Sequence, residues 1–249
     1  DINSTDMHSF IHPLSAAIPP VWESKTDWEI FRDLAKKVTE MSHRYLPNVM
    51  KDVVNVPLSH DSKDEISQTR LQDWSKGECE PIPGETMHKI VFKERDYTKI
   101  YDKFISLGKG VETNGLGAHG NHYECADVYQ EMLEHRQHIS KWNDGTEYPS
   151  LREDVEAINA ILNLSTLTNG KLTKRCYENM AEKIGVPEIA ELGKPYEDIK
   201  MEYRDLQAQP KRYNSSPLWS GLMHDGRTYA AYTYNIDMFV PWRTLTGRQ

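Results

Sequence analysis

Apolar residues early in the chain recur at three- and four-residue steps: Trp28, Phe31, Leu34, Ala35, Val38, Met41 and Tyr45, with Glu29, Arg32, Asp33, Lys36 and Lys37 between them. That spacing gathers the apolar side chains on one side of a helix and the charges on the other, so it predicts one buried stripe. Thr26, Asp27, Trp28 and Glu29 mark the start. They form a T-x-x-E capping box, in which a hydroxyl and a carboxylate each satisfy a backbone N–H that the first turn leaves bare. Pro47 ends the helix. Upstream, a polar turn segment (Asn3, Ser4, Thr5, Asp6) leads into an apolar run broken by Pro13, Pro19 and Pro20. Prolines at those positions forbid a continuous helix, and residues 1–20 read as an extended, wrapping segment.

Beyond Met50 the pattern turns irregular. Val53, Val54, Val56 and Leu58 make a short apolar run at Pro57, consistent with an edge strand or an extended crossing. Residues 60–85 read as a long surface loop anchored by Leu71, Trp74 and Ile82, and Lys89–Lys93 as a second short strand. Asp96 caps a helix whose stripe is Tyr97, Tyr101, Phe104 and Leu107, closed by Gly108. A further helix is expected from Tyr123 to Ile139. Ser150 with Glu153 caps one that buries Val155, Ile158, Ile161 and Leu162. Thr173 caps the next, with Leu172 and Tyr177 spaced as a hydrophobic staple, Met180, Ala181 and Ile184 as the buried face, and Gly185 then Pro187 as the stop. From 195 to 209, Ile199, Tyr203 and Leu206 fit a helix face, but the alternation of Ile199, Met201 and Tyr203 favours a strand. After Pro210, aromatic-rich segments (Tyr213, Trp219, Tyr229, Tyr232, Tyr234, Phe239) read as extended. The class is α+β: capped amphipathic helices, a few short strands and long irregular loops.

Composition narrows the functions. Over 249 residues, a formal net charge of −8 and short, interrupted basic clusters argue against a nucleic-acid surface. No apolar run approaches the roughly 20 residues of a membrane span. Cys79, Cys125 and Cys176 are odd in number and widely spaced, which suits free thiols in a reducing compartment better than a disulfide framework. The first residues lack the basic, apolar and small-residue order of a signal peptide, and the start reads as cut.

Gly115, Gly117 and Gly120 spell G-x-G-x-x-G, but the dinucleotide fingerprint needs a strand feeding the glycines into a helix, and here a helix and another glycine-rich loop precede them. His119, His122 and Cys125 could supply half of a zinc or nickel site, with His135 and His138 following, since imidazole and thiolate suit those metals. A solvated, histidine-rich loop is the favoured reading. No G-x-S-x-G, H-E-x-x-H, Walker A or C-x-x-C occurs.

The stretch DMHSFIHPLSAAIPPVWESKTDWEIFRDLAKK, the pieces PLSHDSKDEIS, DWSKGE, ERDYTKIYDKF and DLQAQPKR, and the end PWRTLTGRQ resemble, in the same order, the alpha (catalytic) subunit of the membrane-bound respiratory nitrate reductases, within the molybdopterin oxidoreductase family. Family subunits are several times longer, so the resemblance implies a fragment of the C-terminal half. It would lack the family's N-terminal iron–sulfur ligands and molybdenum-binding aspartate, and would be inactive alone. The implied activity of the intact subunit is reduction of nitrate to nitrite with electrons from quinol, using bis(molybdopterin guanine dinucleotide) molybdenum and a 4Fe-4S cluster. The implied partners are the iron–sulfur beta subunit, the membrane gamma subunit and the rest of the alpha subunit, on the cytoplasmic side of the cell membrane.

The resemblance also implies an organisation. Residues 1–50 would end a molybdopterin-binding α/β domain, 51–210 would be a loop-rich helical insertion, and 211–249 an extended segment leading into a C-terminal β-barrel domain. Thr246, Gly247 and Arg248 match the family's T-G-R turn near the pterin dinucleotide, where glycine permits close backbone approach to phosphate and arginine can pair with it bidentately. Asn3 to His8 falls where wider relatives have a T-N-x-E-x-R-like segment beside the cofactor. Ser4, Asp6 and His8 are its candidates, with Asp6 for the glutamate and His8 for the arginine. Both end segments would then approach the same cofactor. The alternatives are a subunit-interaction module with no cofactor contact of its own, and a metal-binding loop protein.

Overall fold

The computed structural model describes residues 2–4, 10–14, 17–56, 74–84, 86–118, 121–135, 138–207, 209–212, 214, 222–224 and 227–229. Thr26 caps α1 (Asp27–Tyr45) as the sequence requires. Its Oγ1 accepts from the Glu29 N–H at 3.2 Å, and the Glu29 carboxylate accepts from the Thr26 N–H at 3.0 Å. The helix ends at Leu46, beside Pro47.

The face that α1 packs is not the predicted stripe. Ala35 and Ser42 are buried, and Trp28 and Thr39 are half-buried, whereas Phe31, Leu34, Val38, Met41 and Tyr45 are exposed. The packed side carries directional contacts. Trp28 lies 4.8 Å from Phe104 between ring centroids, and its Nε1–H donates to the Leu151 carbonyl at 2.9 Å. Arg32 donates to the Arg152 carbonyl at 3.0 Å, and the Tyr101 N–H donates to Thr39 Oγ1 at 2.9 Å. Backbone groups at 101 and 151–152 select this side, because they need partners that an aliphatic stripe cannot supply.

The strands are short and antiparallel. β1 (Ile2–Ser4) pairs with β2 (Phe10–Pro13), and β2 also pairs with the late strand Lys211–Arg212, so the sheet's outer edges come from distant parts of the chain. β3 (Met50–Val56) and β4 (Lys89–Arg95) form a ribbon whose Val53, Ile90 and Phe92 are exposed. Trp74 and Ile82 are exposed rather than anchoring the loop before β4, and Leu71 lies outside the described residues. Three further hairpins follow: β5 (Leu116–Ala118) with β6 (Asn121–Tyr123), β7 (Ile139–Lys141) with β8 (Glu147–Pro149), and, beyond β9 (Lys211–Arg212), β10 (Leu222–His224) with β11 (Arg227–Tyr229).

Asp96 caps as expected, accepting from the Thr98 N–H at 3.0 Å, but what it starts is a 3-10 turn (Tyr97–Lys99) leading into α2 (Ile100–Phe104). After α3 (Gly110–Asn114) comes α4 (Ala126–Glu134), shorter than the 123–139 span expected because Tyr123 is committed to β6 and Ile139 to β7. In α5 (Asp154–Asn163) Ile158 and Leu162 are buried as expected. Val155 and Ile161 are exposed, and Ala157 and Ala160 take the inner positions, where small side chains let neighbours approach. α6 (Gly170–Ile184) begins a turn before Thr173, because Asn169 is its cap, with Oδ1 accepting from the Lys171 N–H at 3.1 Å. Gly185 ends α6 in the left-handed conformation at φ 70°, as predicted. The short α7 (Glu188–Glu191) follows. Residues 203–207 form α8 (Tyr203–Gln207), a helix where alternation favoured a strand, because one turn of helix turns Tyr203 and Leu206 onto the same cluster.

Among the described residues, three apolar clusters pack. Ile11 of β2 meets Ile158, Leu162, Met201 and Leu206. Tyr123, Cys125, Val128, Leu172 and Cys176 form the second, and Tyr177, Met180, Ala181 and Ile189 the third. Leu172 and Tyr177, expected to staple together, belong to different clusters, so α6 bridges two cores.

Two expectations follow. A Cβ at Gly170 would overlap the Tyr196 carbonyl oxygen, so Gly170→Ala should destabilise by about 3 kcal/mol through forced backbone displacement. A urea midpoint within error of wild type would show that the contact relaxes freely. The second concerns Glu156, whose Oε2 accepts from Ser150 Oγ at 2.7 Å and from the Glu153 N–H at 3.0 Å, while His138 Nδ1 lies 3.2 Å from Oε1. Burial pushes this carboxyl up, but the bonds from Ser150, Glu153 and His138 together hold it below its ordinary 4.5. Its stabilising contribution is therefore complete above pH 4.5 and is lost as pH falls towards the lowered folded value. Glu156→Gln should cost about 1–2 kcal/mol at neutral pH and lose less than wild type on acidification to about pH 3.5. Equal acid losses, read from urea midpoints, would overturn this account.

Candidate functional site

Of the residues that the resemblance assigns to a cofactor, Ser4 lies on β1 opposite Ile11, and Asp6, His8, Thr246, Gly247 and Arg248 lie outside the described residues. The described geometry bears on their neighbourhood. β2 is anchored by buried Ile11 and pairs on one side with β1 and on the other with β9, with Phe10 opposite Arg212 and Ile11 opposite Lys211. The segment carrying Ser4 and the chain leading to Arg248 thus start from one small sheet.

Among the described residues, His122 and Cys125 are not arranged as metal ligands. His122 is on β6, exposed, with Nε2 2.6 Å from the Asn114 carbonyl. Cys125 is fully buried, its thiol donating to the Tyr123 carbonyl at 3.4 Å, and burial pushes that thiol up, away from the thiolate a metal needs. His119 lies outside the described residues. Among the described residues no group of three or more His, Cys, Asp and Glu could hold a metal ion. Gly115 and Gly117 belong to the approach and first strand of the β5–β6 hairpin, so no strand runs into a helix here, and Gly120 lies outside the described residues. Gly115 has φ 63°, and a Cβ there would meet the Tyr123 backbone, so this glycine serves the hairpin rather than a phosphate.

Sequence reasoning missed a cleft of about 620 Å³ between α4, α5 and α8, lined among others by Glu134, His138, Ser150, Glu156, Asn159 and Glu202. The sequence reads Ser150 with Glu153 as the helix start here, whereas in the structure Glu153 is the cap and forms its box with Glu156. Ser150, Glu156, Glu202 and Asn159 are already engaged, while Asn163 Oδ1, also in the lining, is buried without a hydrogen-bond partner. Ser150 Oγ donates to Glu156 rather than to His138, so no hydroxyl is activated by the imidazole. Glu202 Oε2 accepts from Arg204 Nε at 2.9 Å, and Asn159 Oδ1 accepts from the Tyr203 N–H at 2.8 Å. The cleft is a junction of helix starts, held by hydrogen bonds, without a nucleophile and base in register.

Comparison with known proteins gives what the described site does not. Residues 114–237 match the family described as nitrate reductase alpha chain, domain V. The chain is 39% identical over 251 residues to the nitrate reductase alpha chain of Bacillus subtilis (strain 168). It is 39% identical over 250 residues to the respiratory nitrate reductase 1 alpha chain of Escherichia coli (strain K12) and 35% over 253 residues to the nitrate reductase alpha subunit of Mycobacterium tuberculosis (strain CDC 1551 / Oshkosh). Each alignment covers 100% of this chain and 20% of the relative. An α+β chain with this match belongs to the nitrate reductase alpha-chain family, and it spans about one fifth of the length of those relatives.

Proposed function

We propose that these residues are part of the catalytic alpha subunit of a molybdenum-dependent respiratory nitrate reductase, which reduces nitrate to nitrite with electrons from quinol. The observation that carries the reading is the 39% identity running through the whole chain against a nitrate reductase alpha chain. In that subunit residues 1–50 end a molybdopterin-binding domain, 51–210 form an insertion, and 211–249 lead into a C-terminal β-barrel domain. An iron–sulfur beta subunit and a membrane gamma subunit hold the complex at the cytoplasmic side of the cell membrane.

The chain's own residues divide these roles. A four-iron cluster takes about four thiolate or imidazole ligands, and the cysteines described here do not fit one. Cys125 and Cys176 are buried in the same apolar cluster, and Tyr123 O–H donates to Cys176 Sγ at 3.4 Å. The cluster's ligands therefore belong to another part of the subunit. Bis(molybdopterin guanine dinucleotide) molybdenum supplies oxygen-atom transfer when bound. Towards that group this chain contributes edges: the Gly247 backbone and Arg248 guanidinium at a phosphate, with Thr246 in the same turn, and Ser4, Asp6 and His8 from the N-terminal segment. A second reading, a subunit-interaction module with no cofactor contact, would place a partner subunit on the exposed apolar face of α1.

The 249-residue chain alone should reduce no nitrate, because catalysis needs a redox metal and an electron route together. Nitrite formed by the purified chain with a dye reductant would overturn this. In the intact subunit Arg248→Ala should lower the guanine nucleotide retained after purification, since a phosphate oxygen loses a charge-assisted partner. Full retention would remove Arg248 from the site and favour the interaction module.

A further inference from the structure

At about 100° per residue, α1 divides into three sectors. Trp28, Ala35, Thr39 and Ser42 lie together and pack against α2 and residues 151–152. Glu29, Lys36, Lys37, Glu40 and Arg44 form a charged arc. Between these arcs, Ile30, Phe31, Leu34, Val38, Met41 and Tyr45 occupy an arc about 100° wide and about 22 Å long, with no charged residue among them and the Arg44 guanidinium over the Tyr45 ring at 5.2 Å, at its C-terminal end. All six are exposed, Phe31 at 57%, Leu34 at 55% and Tyr45 at 60%. The helix is capped, closed and packed on another side, so the arc is a set surface rather than a frayed end.

A continuous aromatic and aliphatic arc of this size is more than a monomer ordinarily shows to water. Six aliphatic and aromatic side chains without a charged residue among them are the composition of a permanent interface, which resembles a core cut in half; transient interfaces have about the polarity of ordinary surface. The exposed apolar surface also extends beyond α1. Trp22, four residues before the cap, is 97% exposed, and Val53, Ile90 and Phe92 share the outer face of the β3–β4 ribbon. The alignments leave four-fifths of each relative's length outside the region matched by this chain.

We infer that the uncovered arc of α1 is the docking surface for another part of the same alpha chain, an apolar segment outside these residues that packs on it when the subunit folds. The inference rests on the reading that these residues belong to a longer alpha subunit. A segment of the same polypeptide is present at every folding event, which suits a surface that would otherwise drive aggregation. A separately made subunit would leave the arc bare until assembly.

The test is thiol accessibility in the alpha subunit as cells make it. Leu34→Cys places a thiol in the arc with little change of packing, and Lys37→Cys provides an exposed control on the charged side. N-ethylmaleimide labelling is read peptide by peptide, so native cysteines do not interfere. Labelling at 34 should be slower than at 37 by about 100-fold in alpha subunit purified without its partner subunits, as for a site reached only by local opening. Rapid labelling at 34 in the lone subunit, with protection only in the assembled complex, would assign the arc to a partner subunit and overturn the inference. Rapid labelling in both would show that nothing covers it. If the mature polypeptide proves by mass to end with these residues, the longer-subunit reading itself fails, and concentration-dependent protection would mark the arc as a contact between two copies.

Discussion

The described structure depends on a buried polar knot at the start of α6. Asn169 caps that helix with Oδ1 and spends its Nδ2 on the Asn163 carbonyl at 2.8 Å, where α5 ends. Thr168 Oγ1 donates to the Leu162 carbonyl at 2.6 Å, Thr173 Oγ1 donates to the Thr166 carbonyl at 2.7 Å, and Asn214 Nδ2 donates to Thr173 Oγ1 at 3.0 Å. The Gly170 N–H reaches the Ile199 carbonyl at 2.6 Å, and the Met201 N–H the Thr168 carbonyl at 3.0 Å. Thr168, Asn169, Thr173 and Asn214 are all buried. In a low-dielectric interior each bond is costly to leave unmade, so the set fixes α5, α6, residues 199–201 and residue 214 in one arrangement. The apolar clusters on either side then have a frame on which to pack.

Among the described residues no single apolar cluster is large, and such a frame holds them together. Five residues form the first, five the second and four the third, and α6 shares its faces between the last two. Small cores leave much of the apolar content unplaced, and the surplus appears on α1 and on the β3–β4 ribbon. Directional bonds therefore decide more of this fold than hydrophobic patterning does. On α1, Trp28, Arg32 and Thr39 bond to backbone groups of other elements and win the packed side over a richer stripe.

This explains which parts of the structure were legible in the sequence. Local chemistry read well: the Thr26–Glu29 box, the Asp96 cap and the Gly185 stop each depend on a few adjacent residues and appear where expected. Where several residues could cap, the deciding partner was distant. Asn169 rather than Thr173 starts α6 because Asn163 and Asn214 engage both side chains, and no spacing rule records that. Alternation misassigned Tyr203–Gln207 because five residues fit either period, and Leu206 had to turn towards Ile11, almost two hundred positions away. The candidate cofactor residues were legible only through resemblance, since a short T-G-R turn has no periodicity of its own.

The same contrast bears on function. A site that carries out chemistry brings unsatisfied donors, acceptors or titrating groups together in a water-poor space. Here the candidate groups are spent: the Glu156 carboxylate holds a helix start, Cys125 and Cys176 fill a core, and His122 meets a backbone carbonyl at the surface. Among the described residues, apolar surface on α1 and on the β3–β4 ribbon is left uncovered. Ile11 holds the β1–β2–β9 sheet against Leu162 and Leu206, and the same α5 end is tied to α6 by Asn169. The polar knot and the β1–β2–β9 sheet are therefore joined through the same end of α5. The residues with least chemistry of their own are thus the ones that tie β1, β2 and β9 to α5 and α6.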